Sequence, residues 1–353
     1  MKKIAIIGAG PSGVYLAIKL IEANPKIDIT IFDKSDPLIT LLPTGNKRCN
    51  LTYKNDDNIE YAKFYPRGEK FLYSVFKRYS YLDTTEDFEK FGIKTYVQDD
   101  LRIFPETNSS SFVRDKLLNK IKNKVKFIKK EIKNALDNYD YTVLATGLKS
   151  GCKLAEKYNI KTIELKPSLT GLKIKEKEFL NLAGVSFNNI IFTDNGVSGP
   201  YIYKLSSINA YKKFPYEIKL PLINDIEKLK EEVKNNPKKQ FRSVVSKFIP
   251  KSLANVIIKE EKQCANVKKT EIDTLAYLTL TATNTDNKGE IVHAGGVDLG
   301  EIDKNFKVKN KNIWVIGELL NIDGLTGGFN LQLCWSSAKI AADDIINKIN
   351  SDI

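Results

Sequence analysis

Gly8, Gly10 and Gly13 stand in GxGxxG spacing directly after the apolar run Ile4–Ile7, and Asp33 lies twenty residues beyond the last glycine. Residues of these types at these intervals hold a dinucleotide. Gly8 permits a tight turn, Gly10 lets backbone amides approach a pyrophosphate, and Gly13 lets a helix pack closely on the preceding strand. Ala9, Pro11 and Ser12 complete the turn, Asp33 is placed to accept ribose hydroxyls, and Lys34 follows at the same strand end.

To work, these residues need a strand over Ile4–Ile7, a helix opening near Pro11 and a second strand ending at Asp33. The helix N-terminus then offers free amides and partial positive charge to the phosphates. Two later stretches point at the same crevice. The run YTVLATG reads as a buried parallel strand ending in Ala145, Thr146 and Gly147. This ATG resembles the second turn of the glutathione-reductase-like flavoproteins, which suggests FAD. The strand IWVIG ends at Gly317, with Glu318 and Asp323 after it. A glycine-rich turn then opens the last helix, whose start is read at Thr326, Gly327, Gly328, Phe329, Asn330, Leu331 and Gln332. Unpaired amides there would face the pyrimidine edge of an isoalloxazine ring, and the helix dipole would stabilise charge on a reduced flavin.

The loop after Asp33 passes over a cofactor in such folds, which places Lys47, Arg48, Cys49 and Asn50 near any chemistry. Cys49 and Arg48 are the candidate catalytic residues. A thiol beside Lys47 and Arg48 would have a tuned acidity and serve as proton donor; the alternative is a small buried packing residue. Arg48 and Asn50 are read as contacts to flavin or substrate carbonyls. His293, the single histidine, is the other candidate acid, against a structural role.

With 353 residues and 42% hydrophobic content, the chain is long enough for two lobes. No run approaches the ~18 apolar residues of a membrane span, and no signal-peptide pattern precedes the fingerprint, so a cytoplasmic protein without membrane contact is expected. Four scattered cysteines without a CxxC exclude a thiol relay, and one histidine argues against a histidine-rich metal centre; no metal is expected. Oligomeric state is not legible. The net charge of +13 has two readings: a lysine-rich genome, or a surface that attracts a polyanion such as RNA. The second would rest on Arg114–Lys133 and on Lys228–Lys269, which includes Lys238, Lys239, Arg242, Lys247 and Lys251.

Amphipathic helix is expected over 68–92, and Ser109–Ser111 are placed to cap the helix after them. From Lys153 the pattern changes. Strand-like pieces at 169–174, 190–193, 216–220 and 278–283 surround a helical middle broken by Pro237 and Pro250. The expected organisation is an α/β, Rossmann-type FAD-binding domain formed by 1–152 and 289–353. It is interrupted by a β-rich substrate domain, 153–288, with a helical part at about 225–262.

In order along nearly the whole chain, the turn GAGPSG, GNKRCNLT (Gly45–Thr52), RIFP (Arg102–Pro105), VLATG, FTDNGVSGP (Phe192–Pro200), AGGV (Ala294–Val297) and GELLNIDGLTGGFNLQ (Gly317–Gln332) resemble the motifs of the BaiN/YhiN-like, aminoacetone-oxidase-type flavoproteins. Thr44–Lys47, His293 and Leu148 depart from the family pattern, and the hairpin before Tyr141 is shortened. The resemblance implies non-covalent FAD and hydride transfer from reduced flavin N5 to an activated C=C. The acceptor would be a steroid-like enone or a uracil of ribosomal RNA, with amine oxidation also associated with the family. NADH or NADPH is the implied electron donor, although no second complete nucleotide fingerprint is present. Two alternatives stand beside an RNA reductase: a small-molecule flavin reductase or oxidase, and a non-catalytic RNA-binding flavoprotein.

Overall fold

The apolar run after the N-terminus becomes the strand β1 (Lys3–Ile7), buried over its last four residues. It pairs in parallel with β2 (Asp28–Asp33) on one side and β4 (Tyr141–Leu144) on the other. The strand β3 (Lys126–Lys129) extends the sheet beyond β2, and β5 (Ile313–Val315) extends it beyond β4, giving the order β5-β4-β1-β2-β3, parallel throughout. A parallel sheet is stable only with both faces covered, which explains why its central strands are apolar without alternation. Each fully buried isoleucine of β1 contributes roughly 1.5–3 kcal/mol of transfer free energy.

Helix α1 (Pro11–Ala23) and helix α2 (Phe329–Ser351) are buried along much of their length and pack against one another. Tyr15 of α1 packs against Trp335 of α2 with ring centroids 5.2 Å apart, and the Trp335 indole donates to the Leu51 carbonyl at 3.0 Å. These contacts tie the two helices to each other and to the Leu51 backbone.

The structure, a computed structural model, describes residues 2–286 and 292–351. The chain forms two units, the first running to Leu165 and resuming at Ala294, the second spanning Lys166–His293. The sequence-based boundary at 152/153 therefore falls too early, inside the helix Leu148–Lys157. That helix and the residues after it bury Leu154, Ala155, Tyr158 and Ile160 in the core of the first unit. The expected boundary at 288/289 lies outside the described residues.

The second unit is built on a six-stranded sheet whose described pairings are antiparallel, with its own core. The helical stretch expected at about 225–262 resolves into Ile226–Asn235, Phe241–Val245 and Lys251–Ile257, the last begun by Pro250. In the first unit, the pattern over 68–92 splits into Glu69–Arg78 and Tyr81–Lys90. Ser80 restarts the chain there through a capping box with Asp83. Ser109 caps the helix Ser110–Ile121, its hydroxyl accepting from the Phe112 amide at 3.2 Å.

Candidate functional site

The glycine turn between β1 and α1 separates two kinds of glycine. A Cβ on Gly8 would lie 2.2 Å from the Ala145 carbonyl oxygen, and one on Gly13 would lie 2.0 Å from the Gly8 carbonyl oxygen. Those two glycines let strand ends and helix approach one another. At Gly10 the nearest atom to a Cβ is Thr40 Oγ1 at 3.7 Å, and at Gly147 nothing comes within 4 Å. Both border a cleft of about 180 Å³, or its rim, lined by Ala9, Pro11, Ser12, Asp33, Lys34 and Glu318 among others. Gly10 and Gly147 thus keep open the space that a pyrophosphate needs, whereas Gly8 and Gly13 serve packing.

Asp33 is held in place by two backbone donors. Its Oδ2 accepts from Ala9 N at 2.7 Å and its Oδ1 from Ser35 N at 2.8 Å. Beyond it, Ile7, Gly8, Asp33, Lys34, Thr146 and Ser150 form a second hollow with Lys130–Ile132, in the position a base would take past a ribose held by Asp33. Lys34 is exposed and pairs with Glu131 at 3.4 Å.

Gly317 closes the third strand end with φ +66°, its N–H donating to Ser337 Oγ at 3.0 Å, and a Cβ there would meet Ser12 Oγ at 2.5 Å. The next residue, Glu318, is exposed at the cleft, with protein atoms crowded around its carboxyl. Desolvation by that surround, with a smaller push from the Asp323 carboxylate, moves its carboxyl up to about 7.

Asn50 and Gly328 meet where the last helix begins. Asn50 is 7% exposed and its Oδ1 is a buried acceptor without a partner, 2.9 Å from where a Gly328 Cβ would sit. A buried amide oxygen left in this state costs ~1–3 kcal/mol and suits a ligand N–H donor. The amides of Phe329, Asn330 and Leu331 precede the first intrahelical bond of α2, from Gln332 N to the Gly328 carbonyl at 3.0 Å. An orphan acceptor, free amides and two glycines opening onto the cleft are what FAD requires. Asp33 and the Gly10 turn would hold its adenosine and pyrophosphate, and Asn50 with the start of α2 its ring.

Around the last motif the helix start shifts and several side chains turn to protein partners. The last helix begins at Phe329, and Gly327 and Gly328 precede it with φ of +137° and +94°. The Phe329 side chain is core, stacked on Phe64 at 4.6 Å. Leu331 also packs on the core. The Asn330 amide pins a turn, accepting from Gly324 N at 2.7 Å and donating to the Gly324 carbonyl at 3.2 Å. Gln332 is fully buried and satisfied by Thr52 Oγ1 (2.6 Å), Ser336 Oγ (2.9 Å) and the Ser80 carbonyl (3.1 Å). Asp323 forms a buried two-point ion pair with Arg67. These side chains are committed to protein, so only backbone amides of this stretch are left for a ligand.

Of the two candidate catalytic residues, Cys49 has the surroundings of its alternative role, a small buried packing residue. Cys49 is fully buried, and burial pushes its thiol up to about 12, the opposite of the acidic tuning expected from its basic neighbours. The Arg48 guanidinium lies 4.2 Å from the centroid of the Phe104 ring, and its Nε donates to the Gly45 carbonyl at 3.3 Å. Thr40 and Cys334, which line the cleft, were not singled out. Thr40 sits in the single 3-10 turn Ile39–Leu41, and Cys334 lies two residues beyond the motif, so neither carries a spacing signal.

A five-stranded parallel sheet with three glycine-bearing strand ends around one dinucleotide cleft defines the class: a Rossmann-type FAD-binding oxidoreductase. The sequence pattern of the HI0933-like protein Rossmann domain matches residues 2–344, and the chain belongs to that family. Among similar proteins, one from Haemophilus influenzae named ribosomal RNA dihydrouridine synthase is 25% identical, over 96% of each chain. One from Clostridium scindens named 3-dehydro-bile acid delta(4,6)-reductase is 24% identical, over 97% of this chain and 98% of that one. In fold, the chain is similar to the FrdA protein of Escherichia coli quinol fumarate reductase, with a TM-score of 0.54 at 12% identity, covering 100% of this chain and 72% of that one. No helix among the described residues is long and apolar enough to cross a membrane.

Proposed function

We propose that this chain is a FAD-dependent reductase that saturates the C5=C6 bond of a uracil in ribosomal RNA, with NADH or NADPH as electron donor, in the cytoplasm. The observation that carries this reading is the pairing of two relatives of equal distance and near-complete coverage. A ribosomal RNA dihydrouridine synthase and a bile acid delta(4,6)-reductase, as named, share one reaction: reduction of a C=C conjugated to a carbonyl. In uracil the hydride goes to C6 and a proton to C5. One NAD(P)H and one proton are consumed per dihydrouracil. When bound, FAD supplies the hydride. The chain's own residues supply the cleft that orients the cofactor, through Gly10, Asp33 and Gly147, and the Asn50 acceptor.

The test is mass spectrometry of ribosomal RNA from cells with and without the gene. A +2 Da uridine present only with the gene is expected; identical RNA from both would refute the reading. The second reading, a small-molecule enone reductase, is favoured by the Clostridium scindens relative. Turnover of a conjugated enone by the FAD-loaded protein, together with unchanged ribosomal RNA, would select it.

A further inference from the structure

The two lysine-rich stretches differ in how their charge is arranged. In Lys228–Lys269 four of the twelve basic residues are held in ion pairs, and the rest are spread over several short helices and their loops. Lys230 sits between Glu227 at 2.6 Å and Asp273 at 2.7 Å, Lys247 pairs with Glu232 at 2.5 Å, and Lys262 pairs with Glu271. Arg242 pairs with Glu261 at 2.8 Å and also donates to the Ile258 carbonyl at 2.7 Å.

The stretch Arg114–Lys133 is set apart because its lysines gather along one sheet edge and the hollow beside it. It holds nine basic residues against two acidic ones, more than half of the net charge of +13. Part of it is β3, the edge strand of the parallel sheet, and Lys122, Lys124, Lys126, Lys129, Lys130 and Lys133 are all exposed. Lys129 pairs with Asp36 at 2.7 Å, and Lys34 and Lys133 share Glu131. No described acid pairs with Lys122, Lys124, Lys126 or Lys130. Past the strand, Lys34 and Lys133 meet Lys153 and Lys157 of the helix Leu148–Lys157 around a hollow of about 530 Å³, with Glu131 its one acidic lining residue. Like charges are thus gathered across sequence-distant elements.

Clustered cations without counter-charge are a phosphate-binding surface. An anionic membrane is the poorer match, because surface-bound helices keep an apolar face exposed. The helix Ser110–Ile121 instead buries Val113, Leu117 and Ile121. We propose that the face formed by β3 and its flanks, with Lys153 and Lys157, holds the phosphate backbone of a structured RNA. This rests on the RNA reading above and assigns the partner's docking surface to the first unit rather than to the lysine-rich helices of the second.

The test measures binding of the FAD-loaded protein to a transcribed ribosomal RNA at about 50 to 200 mM salt, where phosphate contacts dominate the salt dependence. One variant carries Lys122, Lys124, Lys126, Lys133 and Lys157→Gln; the control carries Lys230, Lys247 and Lys262→Gln. Retained FAD and melting temperature establish folding of both. The first variant is expected to bind at least ~10-fold more weakly, with a salt slope smaller by about 4, one unit or slightly less per lost phosphate contact. The control should match the unmodified protein. RNA binding unaffected in the first variant, equal losses in both, no binding by the unmodified protein, or equally tight binding to phosphatidylserine vesicles would each overturn the proposal. A +2 Da uridine that persists in cells while the first variant binds normally would sink the docking face alone. A functional face without that modification would sink the reductase reading alone.

Discussion

Asn50 and Gly328 are 278 positions apart in sequence, yet the buried amide oxygen of Asn50 lies 2.9 Å from where a Gly328 side chain would begin, and it has no hydrogen-bond partner in the protein. Folding brings an unsatisfied acceptor to the start of the last helix, where amides are also free.

Asn50→Ala should therefore separate cofactor binding from stability. No protein hydrogen bond to Oδ1 is lost, so the FAD-free protein should unfold within about 1 kcal/mol of the parent. FAD affinity should fall by roughly 5–20-fold, the worth of one buried hydrogen bond. Urea unfolding and FAD titration measure the two. Unchanged affinity would remove Asn50 from the site.

The glycines of the turn make opposite predictions. Gly10→Ala places a methyl in the open cleft from a backbone with φ −75°, so the fold should hold and FAD affinity should drop at least ~10-fold. Gly8→Ala drives a Cβ to 2.2 Å from the Ala145 carbonyl oxygen at φ +115° and should cost more than about 3 kcal/mol of stability. Thermal melts of both, with FAD content, are the measurement; equal melting temperatures would contradict the assignment.

Glu318 predicts a pH dependence. Its carboxyl is raised from 4.5 to about 7, so in the fold it keeps its proton where the unfolded chain has lost it. The sign is fixed: its contribution to stability is largest below about 4.5 and falls as pH rises to about 7. FAD carries a negative pyrophosphate, and ionised Glu318 at the cleft opposes it. FAD binding should weaken several-fold between about pH 6 and about pH 8. Glu318→Gln should flatten that profile, measured by flavin fluorescence; an unaltered slope would place the titration elsewhere.

Arg67 and Asp323 form a buried pair, with side chains 13% and 2% exposed. Arg67→Met should destabilise by about 3–5 kcal/mol, because the Asp323 charge is left uncompensated. Combining it with Asp323→Leu should recover part of the loss, which a denaturant double-mutant cycle would read. A double variant no better than the single one would argue against burial of the charge as the cause.

What the sequence determined by itself was local backbone demand. The turn Gly8–Gly13, the acid at Asp33, the strand ending at Gly147 and the order of elements were legible because each depends on φ, on Cβ clearance or on an apolar period within a few residues. Tertiary structure decided which neighbouring side chains face the ligand and which face the core. Phe329, Gln332 and Asp323 belong to the last motif, but their partners Phe64, Thr52 and Arg67 come from more than 250 residues earlier. Cys49 sits among cations in sequence but is sealed from solvent in space, so its thiol is pushed up rather than down. The same holds for charge. A lysine count sets the field of a stretch, and only the fold shows whether a given ammonium has met a carboxylate, as Lys230 and Lys247 have, or stands clear of one, as Lys122, Lys124 and Lys126 do.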